Sequence, residues 1–148
     1  MINFNFQNIA LKLNKRQLLR SWIKEVIASE GHKAGEINYI FCNDENLSEL
    51  NINYLKHNTL TDIITFDYTE RNIISGDIFI SVERVCENAK KFDKKFYDEL
   101  NRVMIHGVLH LAGYKDKDER NIKEMRQKED ECLNLLRLKF EANISGTK

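Results

Sequence analysis

His106 and His110 stand four residues apart in the segment His106-Gly107-Val108-Leu109-His110-Leu111-Ala112-Gly113-Tyr114-Lys115-Asp116. On a helix that spacing projects both imidazoles from one face, one turn apart, so both can reach one metal ion. Gly113 offers the left-handed residue that commonly ends a helix. The chain can turn back there and bring in Asp116, six residues after His110, as a third ligand. Three protein ligands around zinc leave a fourth position for water, the arrangement of a catalytic rather than a structural site.

The same residues admit a plainer reading. The helix expected over Phe96 to Ala112 carries Leu100, Val103, Met104, Val108 and Leu111 as a core-facing stripe, and Ile105 and Leu109 make the opposite side apolar too. Such a helix belongs in the middle of a domain. His106 and His110 lie on the flank of the stripe, near the azimuth of Glu99. A single histidine there is more often a hydrogen-bonded core residue than a ligand. The pair, the glycine stop and the carboxylate together point to a metal, and the pattern alone leaves both readings open. One chemistry is disfavoured: a zinc protease of the H-E-x-x-H type needs Glu after the first histidine as general base, and that position is Gly107. Glycine there lets another element or a ligand come close to the helix.

The remaining elements must position this segment. Ile2 to Gln7 alternates apolar and polar residues as a strand does. Asn14 is placed to cap a helix from Lys15 to about Glu30, with Leu18, Leu19, Trp22, Ile23, Val26 and Ile27 buried. Glu36 to Cys42 reads as a second strand, and Asn43-Asp44 turns into a helix over Glu45 to Lys56 carrying Leu47, Leu50 and Tyr54. Ile63 to Phe66 and Ile74 to Ser81 read as two more strands. Helices follow over Val82 to Phe92, Phe96 to Ala112 and Asp118 to Phe140. The order βαβαββααα predicts an α+β fold, one small mixed sheet of about four strands covered by about five helices. Residues 1–140 are expected to form a single metal-binding domain and 141–148 a flexible tail.

Composition narrows the class. Apolar residues make up 42% and charged residues 31%, and 23 acidic side chains balance 23 basic ones. That is the profile of a soluble globular chain without a bulk basic footprint for nucleic acid, which leaves only a local patch possible. No segment has the length of a membrane span and the start lacks a signal-peptide pattern. Cys42, Cys86 and Cys132 are far apart and odd in number, which suits small buried residues in a reducing cytoplasm. The run Lys90-Lys91-Phe92-Asp93-Lys94-Lys95-Phe96 can be read as a phosphate-holding, base-stacking surface. The stronger reading is a solvated helix junction whose phenylalanines pack inward.

Three motifs in order resemble the YbeY family of bacterial rRNA maturation factors, which are metal-dependent endoribonucleases. His106 to Tyr114 is similar to the family's H-G-x-L-H-L-x-G-Y-D-H box. Leu50-Asn51, Tyr54 and Thr61-Asp62-Ile63-Ile64-Thr65-Phe66 are similar to its L-N-x-x-[YF]-R and T-D-V-L-S-F blocks. Gly76-Asp77-Ile78-Phe79-Ile80 is similar to its G-D-I strand. The resemblance implies cleavage of single-stranded RNA, chiefly an rRNA precursor, in ribosome maturation and quality control. It implies a ribosomal or small-subunit partner, a cytoplasmic location, no DNA and no membrane. It also implies one Zn2+ or other divalent transition metal held by His106, His110 and Asp116, through which these residues act in catalysis.

Two positions depart from the family pattern. The third ligand is usually histidine and is here Asp116, which makes manganese, nickel or iron more plausible occupants; Asp118 is a nearby substitute. Leu55 stands where the family usually has an arginine for RNA phosphate, a contact leucine cannot make. Lys56 can supply a point charge instead, and Thr61 and Asp62 can orient the site or bind substrate, although Asp62 can equally cap a turn. Two rival readings stand beside the nuclease: a non-catalytic ribosome-assembly factor with a structural metal, and a metal hydrolase of another substrate.

Overall fold

The computed structural model describes residues 1–55 and 61–146, without the side chains of 144–146. Four strands form one mixed sheet in the spatial order β1-β2-β4-β3: β1 (Ile2–Phe6), β2 (Lys33–Cys42), β3 (Ile63–Asp67) and β4 (Ile73–Ser81). β1 pairs parallel with β2, β2 parallel with β4, and β3 antiparallel with β4. The helices are α1 (Arg16–Ser29), α2 (Asp44–Leu50), α3 (Val82–Lys91), α4 (Phe96–Leu111) and α5 (Glu119–Gly146). The expected α+β class and element order are both present.

The period-2 pattern of the strands sorts their side chains onto two faces. Ile37, Tyr39 and Phe41 of β2 and Ile74, Ile78 and Ile80 of β4 are fully buried in the main core. α4 crosses this face, and its Leu100, Met104, Ile105, Val108 and Leu109 are fully buried as well. The Tyr39 hydroxyl donates to the Met104 carbonyl at 2.8 Å, and the Trp22 indole of α1 donates to the Cys132 carbonyl of α5 at 2.8 Å. The second face carries the side-chain ladder Asn3–Asn38–Asp77. It also carries a small core of Cys42, Leu47 and Ile64 beneath α2. Cys42 and Cys132 are buried thiols, in line with their expected role as small apolar residues.

Local chemistry explains several boundaries. The Asn43 side chain accepts from the Asn46 amide at 2.8 Å and starts α2. The cap expected of Asn14 is not made: Lys15, in the left-handed region at φ 54°, precedes α1 without a side-chain cap. The helix expected over Glu45 to Lys56 ends as α2 at Leu50 and continues as a π-helical turn, Asn51–Leu55, which leaves Tyr54 exposed. β2 begins at Lys33, earlier than expected, because Lys33 and Ala34 pair with Ile73 and Ile74. α5 continues to Gly146 rather than ending near Phe140. Among the described residues, no helix is long and apolar enough to cross a membrane.

Candidate metal centre

α4 presents its histidines at the edge of the core because its middle is pinned to the sheet. A Cβ on Gly107 would come within 2.9 Å of Ile78 and 3.1 Å of Ile63. The glycine is therefore what lets the helix lie close on β3 and β4. Gly113, at φ 108°, stops α4 and reverses the chain. The turn is tied down by the Tyr114 hydroxyl, which donates to Glu30 Oε1 at 2.8 Å, while Lys128 of α5 pairs with Glu30 Oε2 at 2.9 Å.

The reversal brings Asp116 over both imidazoles. Asp116 Oδ2 lies 3.3 Å from His106 Nε2 and 3.2 Å from His110 Nε2. One ligand atom from each of the three residues falls within 4.8 Å of the others. The remaining ring nitrogens are already used. His110 Nδ1 lies 3.0 Å from the Tyr114 carbonyl, which can only accept, so Nδ1 carries the proton. His106 Nδ1 donates to Glu129 Oε2 at 2.5 Å. In the neutral imidazoles both Nε2 atoms therefore present lone pairs to a carboxylate oxygen. Three electron-rich atoms converge where only a cation, or a proton on a ring, relieves their repulsion. Orientation of each ligating histidine by a second acceptor is the usual support of a metal ligand. The donor set of two nitrogens and one oxygen fits a divalent transition metal.

Asp118 is committed elsewhere. Its Oδ1 accepts from the Asn121 amide at 2.8 Å as the cap of α5, so it is no substitute for Asp116. Thr61 turns back on its own strand, its hydroxyl donating to the Ile63 carbonyl at 3.1 Å. Thr61 and Asp62 both line the cleft that holds His106, His110 and Asp116. Lys56 lies outside the described residues. Leu55, also on the cleft, is 42% exposed.

Glu129 was not legible as part of the site. It is buried, accepts from Arg102 Nη1 at 2.8 Å, and so joins α4 to α5 behind His106. Burial alone would raise its pKa; hydrogen bonds from His106 and Arg102 outweigh this and hold the carboxyl below its usual range. Burial likewise would lower His106, yet the Glu129 hydrogen bond and the charges of Glu129, Asp116 and Asp62 hold it above the usual histidine value. The Asp62 carboxyl is raised, chiefly by burial, despite the opposing pull of His106. The cleft has a volume of about 610 Å³. Of the lysine–phenylalanine run, only Phe92 lines it; Phe96 packs against the core and the four lysines are solvated.

The family model described as Endoribonuclease YbeY matches residues 2–137. A Flavobacterium johnsoniae protein named Endoribonuclease YbeY is 55% identical over 133 residues, covering 90% of this chain and 95% of that protein. A Porphyromonas gingivalis protein of the same name is 41% identical over 144 residues, covering 97% and 95%. A solution structure from Thermotoga maritima is 28% identical and superposes with a TM-score of 0.66, covering 100% of this chain and 97% of that one.

Proposed function

This chain belongs to the Endoribonuclease YbeY family, and on that premise we propose that it cleaves single-stranded RNA at a metal centre built from His106, His110 and Asp116. The observation that carries the proposal is the convergence of both Nε2 atoms on Asp116 Oδ2 while both Nδ1 atoms are held by acceptors. A divalent ion at such a site supplies Lewis-acid polarisation of a phosphodiester and a stronger water nucleophile at neutral pH. Zinc is the proposed occupant, with manganese, nickel or iron as competitors because one ligand is a carboxylate. Asp116 is 40% exposed and opens the site onto the cleft, as catalysis requires and a closed structural site does not.

The protein's own groups prepare the reaction. Glu129 and the Tyr114 carbonyl fix the two rings. Asp62, on the cleft wall, holds a carboxyl that burial pushes above the usual range, which makes its carboxylate a stronger base than that of an exposed aspartate. The substrate is proposed to be an rRNA precursor and the partner the ribosome or a small-subunit protein, in the cytoplasm.

Single-turnover cleavage of single-stranded RNA tests the reading. Cleavage should stop on chelation and return on adding back zinc or manganese. Undiminished cleavage after the ion is removed would disprove the metal mechanism. Tight RNA binding with no cleavage under any metal would favour the non-catalytic assembly factor.

A further inference from the structure

We infer that Arg126 and Phe92 form a nucleotide subsite beside the metal centre, Arg126 holding a phosphate and Phe92 stacking a base. The inference rests on the RNA-cleaving reading above. Four carboxylates line the cleft: Asp62, Glu99, Asp116 and Glu129. The proposed metal ion offsets part of this charge, but each further phosphate needs its own cation, and Leu55 supplies none. Arg102 and Arg126 are the cationic side chains among the described lining residues besides the histidines.

Arg102 is committed. It is 15% exposed, with Nη1 2.8 Å from Glu129 Oε1 and Nη2 2.6 Å from Asp130 Oδ1. Arg126 is not so held. It is 58% exposed, and its ion pair is with Glu129 Oε1 at 3.8 Å, beyond hydrogen-bonding distance and to an oxygen Arg102 already uses. Its guanidinium therefore keeps its forked donors for a phosphate, which it can bind with two parallel hydrogen bonds.

Phe92 supplies the second half. It caps the end of α3 on the cleft at 54% exposure, whereas Phe96, four residues on, packs into the core. Ile122 and Leu55 on the same cleft are exposed too, which makes an apolar lip. Lys91 Nζ lies 5.6 Å from the centroid of the Phe92 ring, which leaves the opposite face for a base. An exposed ring and a forked cation on one cleft match the face and the phosphate of a nucleotide, and such stacking tolerates any base.

The test uses the metal-loaded protein and two probes, a short phosphorothioate-linked oligoadenylate and its abasic counterpart, with affinity measured over a salt series. Arg126→Ala should weaken both probes and remove about 0.7 from the slope of log affinity against log salt. Arg126→Lys should restore that slope. Phe92→Ala should weaken the adenylate roughly tenfold and leave the abasic strand unaffected. An unchanged slope in Arg126→Ala overturns the phosphate contact. Equal weakening of both probes in Phe92→Ala overturns the stacking. Loss of bound metal in Arg126→Ala would show that it acts through Glu129 and would also overturn the assignment. A wild-type protein that cuts RNA while these variants bind like it defeats the subsite alone. A wild-type protein that never cuts RNA defeats the parent reading.

Discussion

His106 Nδ1 and Glu129 Oε2 are 2.5 Å apart, although 23 residues separate them in the chain. The contact clamps α4 to α5 at the candidate metal centre and fixes which ring nitrogen faces the cleft. Glu129→Gln keeps the shape but loses the charge and one of the two acceptor oxygens, so its NH2 donor must face either His106 or Arg102. Metal affinity should fall about 10- to 100-fold, the usual loss for an outer partner of a ligating histidine. Competition against a chelator of known affinity measures it. Unchanged affinity would show that Glu129 serves only the packing of Arg102.

Three variants separate Asp116, the proposed third ligand, from its neighbour Asp118. Asp116→Ala should lose most bound metal, while Asp116→His should retain it and prefer zinc more strongly, since three nitrogens replace two nitrogens and an oxygen. Asp118→Ala should leave metal content intact and cost about 1 kcal/mol of stability through the lost α5 cap. Metal analysis and thermal melts of the three proteins decide the matter. Metal loss in Asp118→Ala with retention in Asp116→Ala would reverse the assignment.

Asp62 gives a pH dependence whose sign follows from burial. Its folded-state pKa lies above the ordinary value of 3.8 because burial disfavours the charged form. The folded state therefore binds this proton more tightly than the unfolded one. The resulting stabilisation is present at low pH and lost as pH rises through the folded pKa, so at neutral pH the carboxylate is a cost. Asp62→Asn should raise the melting temperature of the metal-free protein at pH 7, and the gain should shrink as pH falls toward 4. A gain independent of pH would mean that ionisation of Asp62 is not its source.

The cluster of His106, His110 and Asp116 was legible where local spacing carried it. His106 and His110 share a helix face by periodicity, Gly113 permits the reversal, and Asp116 lies within reach of one turn. Glu129 and Arg126 were not legible. They sit in the run Met125-Arg126-Gln127-Lys128-Glu129-Asp130-Glu131, which reads as a solvated helix face, and only the docking of α5 against α4 buries Glu129. The sheet order was out of reach for a related reason. β3 and β4 pair as neighbours in sequence, but β4 also pairs with β2 across the intervening α2 and β3, and that remote pairing extends β2 back to Lys33. Phe92 and Phe96 show the limit of composition: one run contains a cleft residue and a core residue, and helix termination at Phe92 separates them.

Leu55 offers a gain-of-function test on the wall where relatives are expected to carry an arginine. Its side chain lines the cleft and is 42% exposed, so a longer cation at this position reaches both solvent and the metal centre's approach. Leu55→Arg should tighten binding of single-stranded RNA and steepen the salt dependence by about 0.7, the share of one phosphate contact on a single strand. The effect should add to that of Arg126 if the two guanidiniums hold different phosphates, and should largely replace it if they compete for one. Affinities of wild type, Leu55→Arg, Arg126→Ala and the double variant over one salt series distinguish these cases. A Leu55→Arg curve superimposed on that of the wild type would show that RNA does not pass this wall of the cleft.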